Sequence, residues 1–232
     1  RNKINAFDKP SAESEVFELC QSGKQRRKNE LFRRAEDITT KPVRLYEAGN
    51  GTQNSNEPKT DTMIKKELLL GDEAIAWGAL NAGLSGVYAY PGTPSTEITE
   101  FIQMHPLTRE RGIHCNWSAN EKTALEAALG MSFVGKRALV CMKHVGMNVC
   151  ADAFVNSAMT GANGGLVVVA ADDPSMHSSQ NEQDSRFYAK FAMIPCFEPA
   201  SQQEAYEMIG EAFDFSEKYQ IPVLMRVTTR MA

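Results

Sequence analysis

Two kinds of hydrophobic pattern alternate along the chain after about residue 70. Short apolar runs predict strands, and longer segments whose apolar residues recur roughly every three or four positions predict amphipathic helices. Gly83 is suited to end the first helix and Pro94 to the first turn of the second. The predicted helices cover residues 72–83, 94–104, 120–134, 149–160 and 201–219, and the predicted strands cover 86–90, 113–117, 137–142, 166–171, 195–197 and 223–227.

The order of these elements predicts the fold class. The continuous apolar run at 166–171 is typical of a strand covered on both faces, as strands of parallel sheets are. Because strands and helices alternate along the chain, we expect an α/β fold with an open, mostly parallel sheet and helices on both faces. This sheet would form one domain, at residues 63–232.

Residues 1–62 differ in composition and are predicted to form a polar extension or linker. They contain 12 Lys and Arg, 10 Asp and Glu, and a stretch at 49–58 with the Gly, Asn and Ser content of a linker. Two interpretations stay open. The segment is either a native, disordered extension or sequence from an upstream reading frame, with natural translation starting at Met63. We expect little catalytic chemistry there.

Composition and charge exclude several function classes. The net charge of −4 gives no basic excess for binding nucleic acid. None of the five cysteines is spaced as a CxxC pair, which argues against a zinc ribbon, a ferredoxin-type cluster site and a disulfide scaffold. No apolar run approaches the roughly 20 residues that cross a bilayer. We therefore expect a cytoplasmic protein with no nucleic-acid or membrane partner.

Unusual polar segments follow four of the predicted strands. In a parallel sheet all four would lie at one edge, and open α/β sheets bind ligands beyond the carboxyl ends of their strands. The sequence therefore predicts a binding site built from loops at 90–95 (YPGTPS), 118–121 (SANE), 143–148 (KHVGMN) and 172–184 (DDPSMHSSQNEQD).

Glu121 is the first candidate residue at this edge. It begins the helix predicted at 120–134, with Asn120 as a suitable N-cap, and Ala124, Leu125 and Ala128 follow it at helical spacing. Its side chain would therefore lie along an apolar stripe, where a carboxylate needs a partner. From the pattern alone, Glu121 is either a functional carboxylate or a first-turn acid that complements the helix dipole.

Two histidines also have both a functional and a structural interpretation. His144 lies in the predicted loop with Asn148 and with Gly146, which would make the loop flexible, and it either contacts a ligand or bonds to backbone. His177 lies in a stretch rich in Ser and Asn that is either a ligand-binding loop or an ordinary turn. The spacing does not decide between these.

The motifs taken together resemble a known family. From Met63 onward the chain is similar to the N-terminal, pyrimidine-binding domain of thiamine-diphosphate-dependent 2-oxoacid:ferredoxin oxidoreductases, and most of all to the α subunits of the indolepyruvate group. YPxTPS is shared by the wider superfamily, whereas DDPSMHSSQNEQDSR is specific to that subunit group. The resemblance covers about 170 of 232 residues and rests on LLLGDEAIAWGAL, YPGTPSTEI, NWSANEKTALEAALG, MKHVGMNVCAD, GGLVVVAADDPSMHSSQNEQDSRFYAKFA and PVLMRVTTR.

The resemblance implies roles for the candidate residues. Glu121 would hydrogen-bond the pyrimidine ring of thiamine diphosphate and control its tautomer, so that the protein supplies orientation and the cofactor the chemistry. Thr93 would lie near the substrate carboxylate or the cofactor. His144 and Asn148 would contact the cofactor, and His144 and His177 the substrate. The loops that carry them would help to form the pocket and a subunit interface.

The resemblance also implies groups that this sequence does not hold. The family oxidatively decarboxylates 2-oxo acids, here aryl ones of the indolepyruvate type, to acyl-coenzyme A and passes electrons through 4Fe-4S clusters to ferredoxin. The sequence has neither a GDG…N block for magnesium and the diphosphate nor a CxxCxxC run. A diphosphate-binding domain, a ferredoxin-like cluster domain and a β subunit would supply these. We therefore expect a fragment or split subunit that is inactive alone.

Two other functions stay open at this point. The domain could be a non-catalytic assembly or regulatory module, or the separate α chain of a decarboxylase of the phosphonopyruvate or sulfopyruvate type. The DDPSMHSSQNEQD segment argues against the decarboxylase. The identity of the 2-oxo acid is not set by the sequence, because Phe187 and Tyr188 could line an aryl pocket or belong to the core.

Overall fold

The architecture comes from a computed structural model that describes residues 68–232; the predicted extension at 1–62 lies outside the described residues, as do 63–67. The helices are α1 (Gly71–Asn81), α2 (Thr96–Met104), α3 (Pro106–Arg111), α4 (Glu121–Phe133), α5 (His144–Thr160), α6 (Arg186–Ala192) and α7 (Gln202–Tyr219). The strands are β1 (Gly86–Ala89), β2 (His114–Trp117), β3 (Ala138–Lys143), β4 (Leu166–Asp172), β5 (Cys196–Phe197) and β6 (Val223–Thr228).

The six strands form one sheet in the order β2-β1-β3-β4-β6-β5. Every pairing is parallel; Ala89 of β1, for example, lies beside Cys141 of β3, which lies beside Val169 of β4. The predicted open parallel α/β sheet is therefore confirmed. The chain runs from β1 outward to β2 and then returns to β3 on the other side of β1. The strand order thus reverses between β1 and β3, where such sheets bind ligands.

Helices cover both faces of this sheet. α1 packs against α2 and α7 on one face, and α4, α5 and α6 pack in series on the other. Val140 and Met142 of β3 lie in the core beneath α4 and α5 with Leu125, Met147 and Phe154. These side chains are fully buried, and each such Leu, Met or Phe contributes roughly 1.5–3 kcal/mol of burial free energy.

Local capping signals fix two of the helix starts. The Asn120 side chain accepts a hydrogen bond from the Thr123 N–H at 2.9 Å, so α4 begins at Glu121 as predicted. The Ser201 hydroxyl accepts one from the Glu204 N–H at 3.2 Å at the start of α7. Within residues 68–232, no helix is both long and apolar enough to cross a bilayer.

The prediction of a loop at residues 143–148 was wrong. β3 ends at Lys143, whose extended backbone serves directly as the N-cap of α5, and the helix begins at His144 rather than at residue 149. Gly146 has low intrinsic helix propensity, which favours a loop when the sequence is considered alone. Packing of α5 on α4 overrides that local preference.

Two shorter differences concern the ends of elements. Pro94 does not enter the first turn of α2; its cis peptide bond with Thr93 lies in the preceding turn, and the helix begins at Thr96 after Ser95. The short helices α3 and α6 were not predicted, because six or seven residues give too little periodicity to detect.

Candidate functional site

The carboxyl ends of the strands share one edge because every strand pair is parallel. The predicted convergence of four segments is thereby confirmed, with the start of α5 in place of the third loop. The turn after β1 closes on the end of β3, since a methyl group built on Gly92 would lie 3.3 Å from Lys143 Cβ. This contact lies at the β1/β3 reversal of the sheet.

Glu121 lies where the sequence placed it, at the first position of α4, and only 8% of its surface is exposed. The stripe that continues from it along α4, formed by Ala124, Leu125 and Ala128, is fully buried. Within residues 68–232, the Glu121 carboxylate has neither a hydrogen-bond donor nor an ion-pair partner among the contacts of the structure. The Glu121 oxygens are not among the enclosed, unpartnered side-chain atoms of the described residues, so the carboxylate is a candidate binding group because it is accessible at the sheet edge and its hydrogen-bonding capacity is unused.

The first turn of α5 lies directly against this carboxylate. A Cβ built on Gly146 would lie 2.6 Å from Glu121 Cγ and 2.7 Å from Oε1. Cys150 follows Gly146 by one turn, and burial, together with the Glu121 charge, raises the pKa of its thiol to about 12. The thiol is therefore neutral at physiological pH. Gly146 does not make a loop flexible, as the sequence suggested, because it lies inside a helix.

The cation next to Glu121 in sequence points elsewhere. Lys122 Nζ lies 3.0 Å from Asp152 Oδ2 on α5 and 3.9 Å from Glu126 Oε1, one turn along α4. Lys122 therefore pairs with Asp152 and Glu126 and not with Glu121. Because these pairs are exposed, they add little to stability.

His144 is fully buried beneath the segment that follows β4. Its Nε2 lies 3.2 Å from the backbone oxygen of Asn181 and 3.3 Å from Asn181 Oδ1. Its Nδ1 is buried and has no hydrogen-bond partner within the described part of the chain. The predicted ligand contact of His144 stays a prediction, and this unpartnered nitrogen is the atom on which it depends.

Asn148 lies one turn further along α5 and is tied to the same segment. Its Nδ2 donates to Gln183 Oε1 at 2.7 Å, and Gln183 Nε2 donates to Asn148 Oδ1 and to the His144 carbonyl. The Tyr188 hydroxyl also donates to Asn148 Oδ1. Neighbouring Phe187 is exposed and so does not belong to the core. The sequence drew attention to this amide-rich segment but gave no role to Gln183.

Asp173 organises the turn that contains His177. Its carboxylate accepts hydrogen bonds from the backbone N–H groups of His177 and Ser178, at 3.1 and 2.7 Å, and from the Ser179 hydroxyl. Burial raises the pKa of Asp173, but these hydrogen bonds and the nearby Lys143 charge outweigh it and leave that pKa below its usual value. Lys143 Nζ donates to the Ser178 carbonyl. The side chain of His177 itself is exposed.

Thr93 is exposed in the turn after β1. That turn is closed by a hydrogen bond of 3.0 Å from the Gly92 N–H to Thr96 Oγ1 and by one of 2.9 Å from the Ser95 hydroxyl to the Gly92 carbonyl. The structure thus places Glu121 against Gly146 of α5, whereas His144 and Asn148 lie on another side of that helix, against the segment after β4, and Thr93 and His177 lie on separate loops.

A second buried carboxylate lies further along the same edge, at the end of β4. Asp172 pairs with Arg226 Nε at 2.5 Å and accepts hydrogen bonds from the backbone N–H and hydroxyl of Ser185. Arg226 also pairs with Glu198. No group of three or more His, Cys, Asp or Glu side chains within residues 68–232 is arranged to hold a metal ion.

Comparison with a family model gives a direct match. Residues 77–229 match the thiamine diphosphate-binding domain of pyruvate flavodoxin/ferredoxin oxidoreductase. The matched range contains α4, α5 and the segment after β4, and therefore all the site residues described above.

Individual relatives show the same similarity. The indolepyruvate oxidoreductase subunit IorA of Pyrococcus horikoshii is 53% identical over 166 residues, which is 72% of this chain and 25% of that protein. The same subunit of Archaeoglobus fulgidus is 49% identical, over 76% of this chain and 29% of its own. The chain thus spans about a quarter of the length of these relatives. The 2-oxoglutarate synthase subunit KorA of Methanothermobacter thermautotrophicus is 29% identical, over 70% of this chain and 44% of its own.

A solved structure has a similar fold. The 2-oxoglutarate:ferredoxin oxidoreductase from Magnetococcus marinus, with 2-oxoglutarate, coenzyme A and succinyl-CoA bound, superposes with a TM-score of 0.64 at 22% identity. The match covers 71% of this chain and 29% of that one. At this identity the match shows the fold alone.

Proposed function

The chain belongs to the pyruvate flavodoxin/ferredoxin oxidoreductase family of thiamine-diphosphate-binding domains, and from that premise we propose that it binds the aminopyrimidine ring of thiamine diphosphate. The domain would serve an oxidoreductase that decarboxylates an aryl 2-oxo acid of the indolepyruvate type and yields acyl-coenzyme A. The names of the relatives at 49–53% identity support this substrate class.

The observation that carries the proposal is the unpartnered carboxylate of Glu121 at the open edge of the sheet. Thiamine diphosphate, when bound, supplies a carbon nucleophile that cleaves the bond beside a 2-oxo group. Glu121 would hold a proton at the pyrimidine ring nitrogen. A carboxyl group packed against an apolar stripe suits this task, because a hydrogen bond is stronger where water is excluded.

The other candidates have supporting roles in this proposal. Buried Nδ1 of His144 and the Asn148 amide, both in the first turns of α5, would contact the cofactor. Thr93 would approach the cofactor or the substrate carboxylate from the turn after β1. His144 and His177 would line the substrate side of the pocket. Asn148 would have to exchange part of its contact with Gln183 for the ligand.

The remaining machinery would come from outside these residues. We propose that magnesium and 4Fe-4S clusters are held by a diphosphate-binding domain and a ferredoxin-like cluster domain, either in the same chain or in a partner subunit. The partners would be a β subunit, ferredoxin and coenzyme A in the cytoplasm. The segment after β4 would then contribute to a subunit interface.

Replacement of Glu121 by glutamine tests the proposal in the complete enzyme that contains this domain. We expect Glu121→Gln to reduce thiamine-dependent decarboxylation by about a hundredfold or more, the usual size of a proton-transfer contribution. The melting temperature should stay close to that of the wild type, because the amide has the same shape.

Glu126→Gln is the matched control, since this exposed glutamate lies on the same helix and pairs with Lys122. It should leave both the activity and the melting temperature unchanged. Near-normal turnover of the Glu121→Gln enzyme would instead indicate a non-catalytic module.

A further inference from the structure

We propose that Gly146 is a positioning residue: the lack of a side chain at this position fixes the Glu121 carboxyl in the orientation that meets the pyrimidine ring. This inference rests on the proposed function. It assigns a role to a residue of α5 that touches no ligand in the proposal but contacts the group that does.

The backbone at Gly146 does not require glycine. The residue lies in the first turn of a 17-residue helix, and its φ is not among the positive values of the described glycines. A helix that contains glycine is less stable than one with alanine at the same position, because glycine loses more conformational entropy when the chain folds. Retaining glycine there therefore needs a reason from packing.

That reason is the contact with Glu121. All three atoms nearest to a Cβ built on Gly146 belong to the Glu121 side chain: Cγ at 2.6 Å, Oε1 at 2.7 Å and Cδ at 2.9 Å. Among the described glycines, this is the one whose added methyl group would meet a carboxylate. The helix backbone of α5 is thus the surface against which the carboxyl group rests.

A methyl group at this position would displace Glu121 rather than the helices. α5 is held by fully buried Met147 and Phe154, and its first turn is clamped by Gln183, which donates to the His144 carbonyl at 3.1 Å. The Glu121 carboxyl has no partner to hold it within the described residues, so its rotamer is the part that gives way. A displacement of about 1 Å is enough to impair a catalytic contact.

The test compares two helical glycines in the complete enzyme. Gly146→Ala is the test variant, and Gly130→Ala is its matched control, because a Cβ at Gly130 in α4 would meet nothing within 4 Å. Dissociation constants for thiamine diphosphate come from fluorescence quenching of the cofactor-free enzyme, alongside melting temperatures and kcat. We expect Gly146→Ala to weaken cofactor binding at least tenfold and Gly130→Ala to leave it unchanged.

A double variant separates positioning from general damage to the fold. Glu121→Ala removes Cγ and the carboxyl group that the methyl group would meet, so Gly146→Ala should lower cofactor affinity less in the Glu121→Ala background than in the wild type. Fully additive losses, or cofactor binding by Gly146→Ala as tight as by Gly130→Ala, would overturn the inference. If Gly146→Ala does not fold, Gly146→Ala with Glu121→Ala should restore folding, and failure to do so overturns it as well.

The Glu121→Gln experiment distinguishes failure of the proposed function from failure of the positioning role of Gly146. Normal cofactor binding and turnover of that variant would overturn the proposed function and this inference with it. A strong loss in Glu121→Gln, together with equal behaviour of Gly146→Ala and Gly130→Ala, would overturn only the positioning role of Gly146.

Discussion

Two buried carboxylates lie at the same edge of the sheet and have opposite surroundings. Asp172, at the end of β4, is met by Arg226 and Ser185, so that its charge is fully compensated. Glu121, after β2, lies against Gly146 and an apolar stripe, with no donor within the described residues. Both residues are buried, and only Glu121 has a carboxylate whose hydrogen-bonding capacity is unused within the described residues. Burial alone therefore does not identify a functional acid.

Asp72 of α1 sharpens this contrast. Both of its carboxylate oxygens are buried without a partner in the described part of the chain, and 1% of the residue is exposed. Burial raises the pKa of Asp72 to about 8, and the neighbouring Glu97 and Glu73 add to the effect. An enclosed carboxyl can thus resolve the lack of a partner by keeping its proton. The oxygens of Glu121, which starts its helix at the open edge, are not among the enclosed atoms without a partner in the described residues.

The largest loss of stability is expected when Asp172 loses its ion-pair partner Arg226. Arg226→Met removes the partner of Asp172 and leaves a buried carboxylate unpaired, which typically costs about 3–5 kcal/mol. Thermal or urea unfolding of the full chain measures this loss. Arg186→Met, which breaks the more exposed pairs of Arg186 with Asp184 and Glu198, is the control and should have a much smaller effect. Similar behaviour of the two variants would contradict the contrast between Asp172 and Glu121.

Replacement of Asp72 should change the free energy of unfolding by less than Arg226→Met does, and should stabilise the protein. Its pKa is raised in the folded state, so the folded protein binds more protons than the unfolded chain and loses stability as the pH rises from about 4 to about 8. The slope is roughly 1.4 kcal/mol per pH unit. Asp72→Asn should remove this dependence and stabilise the protein by roughly 1–3 kcal/mol at pH 7, because the buried amide still has a desolvation cost.

Melting temperatures measured between pH 5 and 8 test this expectation. Asp152→Asn, at an exposed position of α5, is the control and should retain the wild-type pH dependence. A parallel pH profile for the Asp72→Asn variant would mean that Asp72 is ionised in the folded protein.

The sequence contained those features of the fold that depend on local signals. Each predicted strand or helix, the Asn120 cap and the apolar stripe beyond Glu121 depend on residues close to one another in sequence. The structure confirms the alternation of strands and helices, the cap and the stripe. The start of α5 was not predictable in this way. Its glycine disfavours a helix locally, and the helix forms there because α4 packs against it.

The contacts that distinguish the two edge carboxylates could not be inferred from the sequence. Asp172 and Arg226 are 54 residues apart and meet only because β4 and β6 pair in parallel with Ala170 beside Arg226. The lack of a partner for Glu121 within the described residues is even harder to predict from the sequence, because it depends on the direction of every surrounding hydrogen-bond donor. Lys122 is the nearest example: the sequence places this cation beside Glu121, whereas the structure directs it to Asp152.

The smallest effect is expected at Lys122, and it tests whether Glu121 is truly without a cationic partner. Lys122 Nζ contacts Asp152 and Glu126 in solvent, where screening leaves little net attraction. Lys122→Gln should therefore change neither the melting temperature nor the affinity for thiamine diphosphate. Titration of the cofactor into this variant and into the wild-type enzyme measures the affinity, and thermal unfolding of both measures the melting temperature. A clear loss of affinity would mean that the Lys122 charge acts on the Glu121 carboxylate, which would then resemble Asp172 more than the structure indicates.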